Sequence, residues 1–202
     1  MSVTVAVDAM GGDAAPGVVV EGAVAAARSG TVRVALVGPE EVVKAELARH
    51  DTAGLPLEVV HAPDVIEMGE SPVLAVRGKP GSSVHVGLGL HRSGQAEALV
   101  SAGNTGAVMA ASIFVLGRAP GVARPTLPGI YPTVKGRCLL LDVGSNVDCR
   151  PEHLVQFARM GAVYASRVMG ISDPTVGLLN IGEEPGKGNE QAKIAYELLA
   201  VA

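Results

Sequence analysis

The chain has 202 residues and a formal net charge of −4 at pH 7, and 48% of its residues are hydrophobic. Only 2% are aromatic, so this length predicts a single domain over 1–202 whose core is built from Val, Leu, Ala and Ile. No block of like charge stands out, and aromatic side chains are too scarce for a base-stacking surface, so we expect no nucleic-acid partner.

The hydrophobic pattern predicts strands and helices that alternate along the chain. In chain order these are a strand over 3–9, a helix over 16–28, a strand over 32–37, a helix over 40–49, a strand over 57–61, helices over 72–76 and 83–92, a strand over 98–101, a helix over 105–116, a strand over 138–142, a helix over 151–169, a strand over 176–180 and a helix from 189 to the end. Continuously apolar strands between helices indicate a mostly parallel sheet covered on both faces, which is an α/β fold arranged as a three-layer α/β/α sandwich.

Two segments depart from this pattern. Residues 117–137 carry four prolines without clear periodicity and are predicted to form a loop or an excursion to a second subdomain. The last helical pattern runs to Ala202 without a stop signal. We therefore expect the chain to be a fragment of a longer protein, the alternative being a helix that frays at its end.

The cysteines and the N-terminus bear on cellular location. Cys138 and Cys149 are too few for a disulfide framework, so we expect free thiols in a reducing compartment. Residues 1–4 lead directly into a strand without the pattern of a secretory signal, and the longest apolar run, 107–116, is too short to span a bilayer. These patterns predict a cytoplasmic protein.

The segment 101–107 is the strongest candidate for a binding site. Its sequence, SAGNTGA, lies between a predicted strand and the start of a predicted helix. Free backbone N–H groups and the positive end of the helix dipole point at such a loop, which suits a phosphate or another oxyanion. The side chains of Asn104 and Thr105 add donors there.

Polar residues follow four of the predicted strands. If these strands run parallel, their carboxyl ends share one rim of the sheet, where ligands of such folds bind. The polar residues include Asp8, Asp13, Ser101, Asn146, Asn180, Lys187 and Asn189. The alternative is that loops are polar and glycine-rich in any case.

A second candidate anion site precedes the predicted helix over 83–92. Ser82 or Ser83 suits a helix N-cap, and that role alone explains one serine. The nearby cations Arg77 and Lys79 favour an anion at the same helix start.

Other signatures do not match the chain. The segment 186–188 fails the phosphate-loop pattern, and 87–92 fails the dinucleotide-binding pattern. The five histidines are scattered without metal-ligand spacing, and no base partner is evident for Cys149. The sequence patterns therefore give no positive sign of a nucleotide site, a metal site or a cysteine nucleophile.

Five motifs occur in order along the chain: DAMGGD at 8–13, EMGESP at 67–72, SAGNTGA at 101–107, LLDVGSNVDC at 140–149, and GLLNIGEE at 177–184 with KGNE at 187–190. Together they resemble the motifs of bacterial phosphate acyltransferases, which transfer acyl groups from acyl carrier protein to phosphate in phospholipid synthesis. The likeness runs from about residue 3 to 199, with Ser145 where the family often has alanine. Family members continue well beyond residue 202.

The resemblance implies an isocitrate/isopropylmalate dehydrogenase-like fold and an enzyme that needs neither metal nor nucleotide. It implies that a long-chain acyl thioester on acyl carrier protein reacts with inorganic phosphate to give acyl phosphate, which a membrane glycerol-3-phosphate acyltransferase consumes. It also implies a homodimer that is cytoplasmic or peripheral at the inner face of the cell membrane.

Given this resemblance, we assign hypothetical roles to residues. Asn104, Thr105 and Lys79 are the candidate catalytic residues, with Gly103 binding phosphate or the oxyanion. Ser82 and Ser83 would help to neutralise phosphate, and Asp8 and Asp13 would orient donors. The remaining rim would comprise Asn146, Asn180, Lys187 and Asn189.

Docking and identity leave alternatives open. A basic patch of Arg118, Arg124, Lys135 and Arg137 would dock the acidic carrier protein, the alternative being scattered solvated cations. Rival identities are a short-chain phosphotransacetylase, a decarboxylating dehydrogenase, or an inactive fragment that keeps only phosphate binding or dimerisation.

Overall fold

The computed structural model describes residues 2–184 and 186–202. Its elements are β1 (Val3–Asp8), α1 (Gly17–Arg28), β2 (Val32–Gly38), α2 (Glu40–Leu47), β3 (Leu57–His61), α3 (Pro72–Gly78), α4 (Ser83–Arg92), β4 (Ala98–Val100), α5 (Thr105–Val115), β5 (Gly129–Thr133), β6 (Gly136–Leu140), α6 (Pro151–Arg167) and α7 (Glu190–Leu199). They fall into two compact units, a first unit at Met1–Gly117 and a second unit at Arg118–Ala202. A single domain over 1–202 stays a prediction.

The first unit is built on a parallel sheet in the order β3-β2-β1-β4. Its strands are short apolar runs rich in valine, which suits strands that are buried on both faces. The prediction of an α/β fold with a mostly parallel sheet is confirmed.

Alternate residues of β2 pack on opposite faces of this sheet. Val34 and Leu36 join the apolar cluster that includes Val20 and Val24 of α1. Val37 joins a second cluster with Ala6 and with residues of α4. The first unit is therefore a three-layer α/β/α sandwich, as the pattern predicted.

The second unit differs from the prediction. The strand predicted at 138–142 is β6, which pairs antiparallel with β5 inside the expected proline-rich excursion. Val134 and Lys135 form the tight turn of this hairpin, and Gly136 follows with a φ of +139°. A short turn between two extended segments favours an antiparallel pair, whereas a parallel pair needs a long crossover.

The strand predicted at 176–180 is also wrong. This segment forms no strand, and the side chains of Val176 and Leu179 are exposed. An apolar run becomes a strand only where a neighbouring strand pairs with its backbone, and none of the described strands pairs with this one.

Helices α6 and α7 complete the second unit. The side chain of Gln191 in α7 donates to the carbonyl of Cys149, just before α6, at 2.6 Å. Gly161 lies so close to Leu141 that a β-carbon there would be 2.6 Å from Leu141 Cδ1. Cys138 and Cys149 are free thiols, as predicted.

Across the part of the chain that the structure covers, no helix combines the length and the hydropathy that a membrane crossing requires.

Candidate anion-binding site

The candidate site begins where β1 and β4 end side by side. The two strands pair in parallel, with Val7 opposite Val100. The loops that follow them, 8–13 and 101–104, therefore meet at one edge of the sheet, at the carboxyl ends where such folds bind ligands. We call residues 101–107 the anion loop.

A chain of hydrogen bonds joins the two loops. Asp8 is buried, with 2% of its surface exposed, and its Oδ2 accepts a hydrogen bond from Ser101 Oγ at 2.7 Å. Ser101 Oγ in turn accepts from the backbone N–H of Gly103 at 3.1 Å. The other oxygen of Asp8 accepts from the N–H of Met10 at 3.1 Å. Asp8 thus orders both loops, while its role in orienting donors for phosphate stays a prediction.

The same loops touch through two glycines. A β-carbon on Gly11 would lie 2.7 Å from the nitrogen of Gly103 and 2.6 Å from Asp8 Oδ2. A β-carbon on Gly103 would lie 3.3 Å from the α-carbon of Gly11. Only glycine permits this approach of two backbones without displacing one of them.

Asn104 holds the anion loop at its other end. Its Oδ1 accepts from the N–H of Ala107 at 3.0 Å and so caps α5. Its Nδ2 donates to the carbonyl of Met68 at 2.9 Å and to that of Glu70 at 3.2 Å. Both amide hydrogens are therefore engaged, so the side chain is not a free donor for an oxyanion, contrary to the role we expected.

Lys79 is also engaged. Its ammonium group forms an ion pair with Glu70 and donates to the carbonyl of Val65 at 2.7 Å. The hydrogen bond from Lys79 lowers the pKa of Glu70 below its ordinary value. Residues 65–70, which we call the strap, are thus tied to α3 by Lys79 and to α5 by Asn104.

The unused donors of the anion loop lie at the start of α5. In the described chain, the amides of Asn104, Thr105 and Gly106 donate no hydrogen bond, whereas that of Gly103 bonds to Ser101. Thr105 is exposed, and its hydroxyl forms no hydrogen bond within the same residues. Thr105 therefore has free donors, whereas the amide of Gly103 is occupied, and anion binding by Thr105 stays a prediction.

Ser82 and Ser83 are buried at the start of α4. Ser82 accepts from the N–H of His85 at 3.4 Å and caps the helix, which is the structural role weighed against phosphate binding. The N–H of Ser83 donates to the carbonyl of Asp64 at 3.3 Å. Within residues 2–184 and 186–202, neither hydroxyl bonds to the anion loop.

His85, in the first turn of α4, is a half-buried titratable residue beside Ser82, so the stability of this region depends on pH. Its Nδ1 is buried without a hydrogen-bond partner among the described residues. Burial lowers the pKa of His85 below its ordinary value, although the nearby backbone of Lys79 acts in the opposite direction. The neutral imidazole is therefore favoured in the folded state.

We expect stability to fall between about pH 7 and pH 5, because the unfolded chain then binds a proton that folded His85 resists. Since the folded pKa is depressed, this stability is present above the unfolded pKa and is lost as the pH falls through the folded pKa. In urea unfolding, His85→Gln should flatten this part of the pH profile. An identical slope in the wild type and the variant would contradict the assignment.

In the second unit, Asn146 belongs to a closed polar cluster. Its Nδ2 donates to the carbonyl of Pro125 at 2.9 Å and to Asp142 Oδ2. Burial raises the pKa of Asp142, but hydrogen bonds from Ser145, Asn146 and Gly144 outweigh it and hold that pKa below its ordinary value. The amide of Asn146 is thus used to shape its own loop.

The last predicted rim residues also serve local structure. Asn180 Nδ2 donates to the carbonyl of Lys187 at 3.1 Å, and Asn189 Oδ1 caps α7 by accepting from Ala192 N–H at 2.9 Å. Lys187 and Asp13 are exposed. The prediction that four parallel strands end at one rim is wrong, because 138–142 belongs to an antiparallel pair and 176–180 is not a strand.

Two residues that matter here had no role assigned from the sequence. Ser101 was noted only as a strand end, and Glu70 only as part of a motif. The serine at the end of β4 and the aspartate at the end of β1 indicate a hydrogen bond only when these two strands are known to be neighbours in the sheet. Across residues 2–184 and 186–202, no group of three or more His, Cys, Asp or Glu side chains is placed to hold a metal ion.

A parallel sheet covered by helices on both faces makes the first unit an α/β sandwich, and two phosphotransacetylases of known structure share the fold of the chain. A phosphotransacetylase from Streptococcus pyogenes matches with a TM-score of 0.71 and 18% identity, over 98% of this chain and 65% of that one. A phosphotransacetylase from Staphylococcus aureus matches with the same TM-score and identity, over 99% of this chain and 64% of that one.

The chain belongs to the family described as fatty acid synthesis protein, whose profile matches residues 3–202. A phosphate acyltransferase of Salinibacter ruber is 59% identical over 96% of this chain, and one of Geobacter sp. strain M21 is 57% identical over 96%. The chain spans 59% and 55% of the lengths of these two relatives. The resemblance to bacterial phosphate acyltransferases is confirmed.

Proposed function

We propose that this chain is the N-terminal part of a phosphate acyltransferase that converts a long-chain acyl thioester of acyl carrier protein and inorganic phosphate into acyl phosphate. The observation that carries the proposal is 59% identity to a phosphate acyltransferase over nearly the whole chain. The unused amides at the start of α5 support it, because they provide donors for an anion where ligands of this fold bind.

The reaction needs no activated side-chain nucleophile. A phosphate oxygen attacks the thioester carbonyl, the tetrahedral adduct collapses, and the carbon–sulfur bond breaks. The sulfur leaves as a thiolate of the carrier protein and takes up a proton. The protein must therefore hold phosphate beside the thioester and stabilise the developing oxyanion.

In this mechanism the amides of Thr105 and Gly106 and the Thr105 hydroxyl contact phosphate or the oxyanion. Asn104 is reassigned from donor to positioning residue, because both of its amide hydrogens are bound to the strap. Lys79 acts likewise through Glu70.

The proposed partners are phosphate, acyl carrier protein, a second copy of the chain and a membrane glycerol-3-phosphate acyltransferase that consumes the product, with a cytoplasmic location that is peripheral at the membrane. Arg118 donates to the carbonyl of Ala123 and Arg124 to that of Asp148. Lys135 and Arg137 on the β5–β6 hairpin are exposed, and they are the better candidates for docking the acidic carrier.

Incubation of the purified chain with palmitoyl carrier protein and phosphate, followed by hydroxylamine trapping, tests the function. We expect palmitoyl hydroxamate, at a rate well above that of acetyl hydroxamate from acetyl-coenzyme A. Preference for the acetyl donor would favour the short-chain phosphotransacetylase, which the fold likeness to phosphotransacetylases supports. No product from either donor, with phosphate binding retained, would favour the inactive fragment.

A further inference from the structure

We propose that Ser101 is the positioning residue that sets the geometry of the anion loop for phosphate. This inference rests on the proposed function, because it concerns the same loop. It adds a residue to which neither the sequence patterns nor the comparisons assign a role.

The chemistry of the contact requires a hydroxyl. An ionised carboxylate only accepts hydrogen bonds, and a backbone N–H only donates. Ser101 Oγ lies between one of each, at 2.7 Å from Asp8 Oδ2 and 3.1 Å from Gly103 N. Its proton must point to Asp8, so its lone pairs face Gly103. No apolar side chain can join these two groups.

The orientation has a consequence for the ligand. Because the amide of Gly103 is turned toward Ser101, the amides left without a partner in the described chain are those of Asn104, Thr105 and Gly106. The backbones of Gly11 and Gly103 also lie close together, which leaves the anion loop little room to shift at Gly103. Ser101 therefore selects which amides face an anion.

Removal of the hydroxyl takes away the partner of Asp8 Oδ2 and of the Gly103 amide, although Asp8 Oδ1 still accepts from the N–H of Met10. Asp8 is 2% exposed, and among the described residues it forms no ion pair that could replace the lost hydrogen bond. A buried carboxylate with a missing partner is expected to pull the Gly103 amide out of place or to admit water. Either response moves the amides of α5 relative to phosphate.

The test measures binding of inorganic phosphate to the whole chain by calorimetry, with amide hydrogen exchange in parallel. We expect Ser101→Ala to raise the phosphate Kd about tenfold or more and to speed exchange at Gly103 while Ala110 and Ala111 in α5 stay protected. Ser101→Thr keeps the hydroxyl and should stay within about threefold of wild type. If Ser101→Ala does not fold, Ser101→Cys replaces it, and we expect its phosphate Kd to exceed that of Ser101→Thr because a thiol is a weak donor and a weak acceptor.

Ser112→Ala is the matched control, because among the described residues the Ser112 hydroxyl bonds only to the carbonyl of Val108, within α5. It should leave the phosphate Kd unchanged. A Kd for Ser101→Ala within about twofold of wild type, or equal loss of exchange protection throughout the first unit, would overturn the proposal. If phosphate binding depends on Ser101 but the chain forms no acyl phosphate, the result would contradict the proposed acyl transfer and leave the role of Ser101 standing.

Discussion

Replacement of Gly11 by alanine is expected to destabilise the protein by about 2–3 kcal/mol and to abolish measurable phosphate binding. The added β-carbon would lie 2.6 Å from Asp8 Oδ2, 2.7 Å from Gly103 N and 3.0 Å from Ser101 Oγ. Two of these atoms belong to buried or backbone groups that cannot swing aside as the end of a long side chain would. Relief of the clash would therefore disrupt the hydrogen bonds among Asp8, Ser101 and Gly103 that order the anion loop. Urea unfolding and phosphate calorimetry measure the two effects.

Gly22→Ala is the matched control for this substitution. Gly22 is exposed within α1, and a β-carbon there would meet no atom within 4 Å. Alanine should raise stability by about 1 kcal/mol because it stabilises helices relative to glycine. If the two variants shift the unfolding midpoint in the same direction, the close approach at Gly11 is not the determinant we infer.

Replacement of Asn104 by alanine is expected to lower acyl phosphate formation roughly 100-fold, because a displacement of about 1 Å in a positioned group is enough for such a loss. The variant loses the cap of α5 and both hydrogen bonds to the strap. We expect a stability loss of about 2 kcal/mol from these changes. Steady-state rates with palmitoyl carrier protein and the unfolding midpoint measure both.

Asn104→Ser separates the cap from the strap. A serine oxygen can accept from Ala107 N–H and so cap α5. Serine has no side-chain amide, however, so it cannot replace the two hydrogen bonds that Asn104 donates to the strap. Stability should recover to within about 1 kcal/mol of wild type while turnover stays low. Turnover restored together with stability would mean that the cap alone matters and that the strap contacts are incidental.

The helices and strands of the first unit could be predicted from local patterns. Val34, Leu36 and Val37 lie in a short apolar run that suits a strand buried on both faces, and the helix bounds were predicted to within about two residues. The same reasoning failed at 176–180, where an apolar run exists but none of the described strands pairs with it. Pairing partners depend on strand order, which periodicity does not encode.

The candidate site shows the same division. The SAGNTGA segment indicated an anion loop because a small, polar turn before a helix exposes backbone donors. Which donors are exposed was predicted wrongly, since Asn104 and Gly103 are occupied whereas Thr105 is exposed. Asn104 is occupied by groups that are distant in sequence, because its amide donates to the carbonyls of Met68 and Glu70, 36 and 34 residues earlier.

By itself, the sequence determined that this chain forms an α/β fold of its family and that a helix start near Asn104 faces the end of a strand. Only the tertiary structure decided that Asp8 and Ser101, 93 residues apart, share a hydrogen bond. The physical reason is that β1 and β4 are neighbours in the sheet although two other strands separate them along the chain. Adjacency of strand ends, not any local pattern, brings together the groups that shape the anion loop.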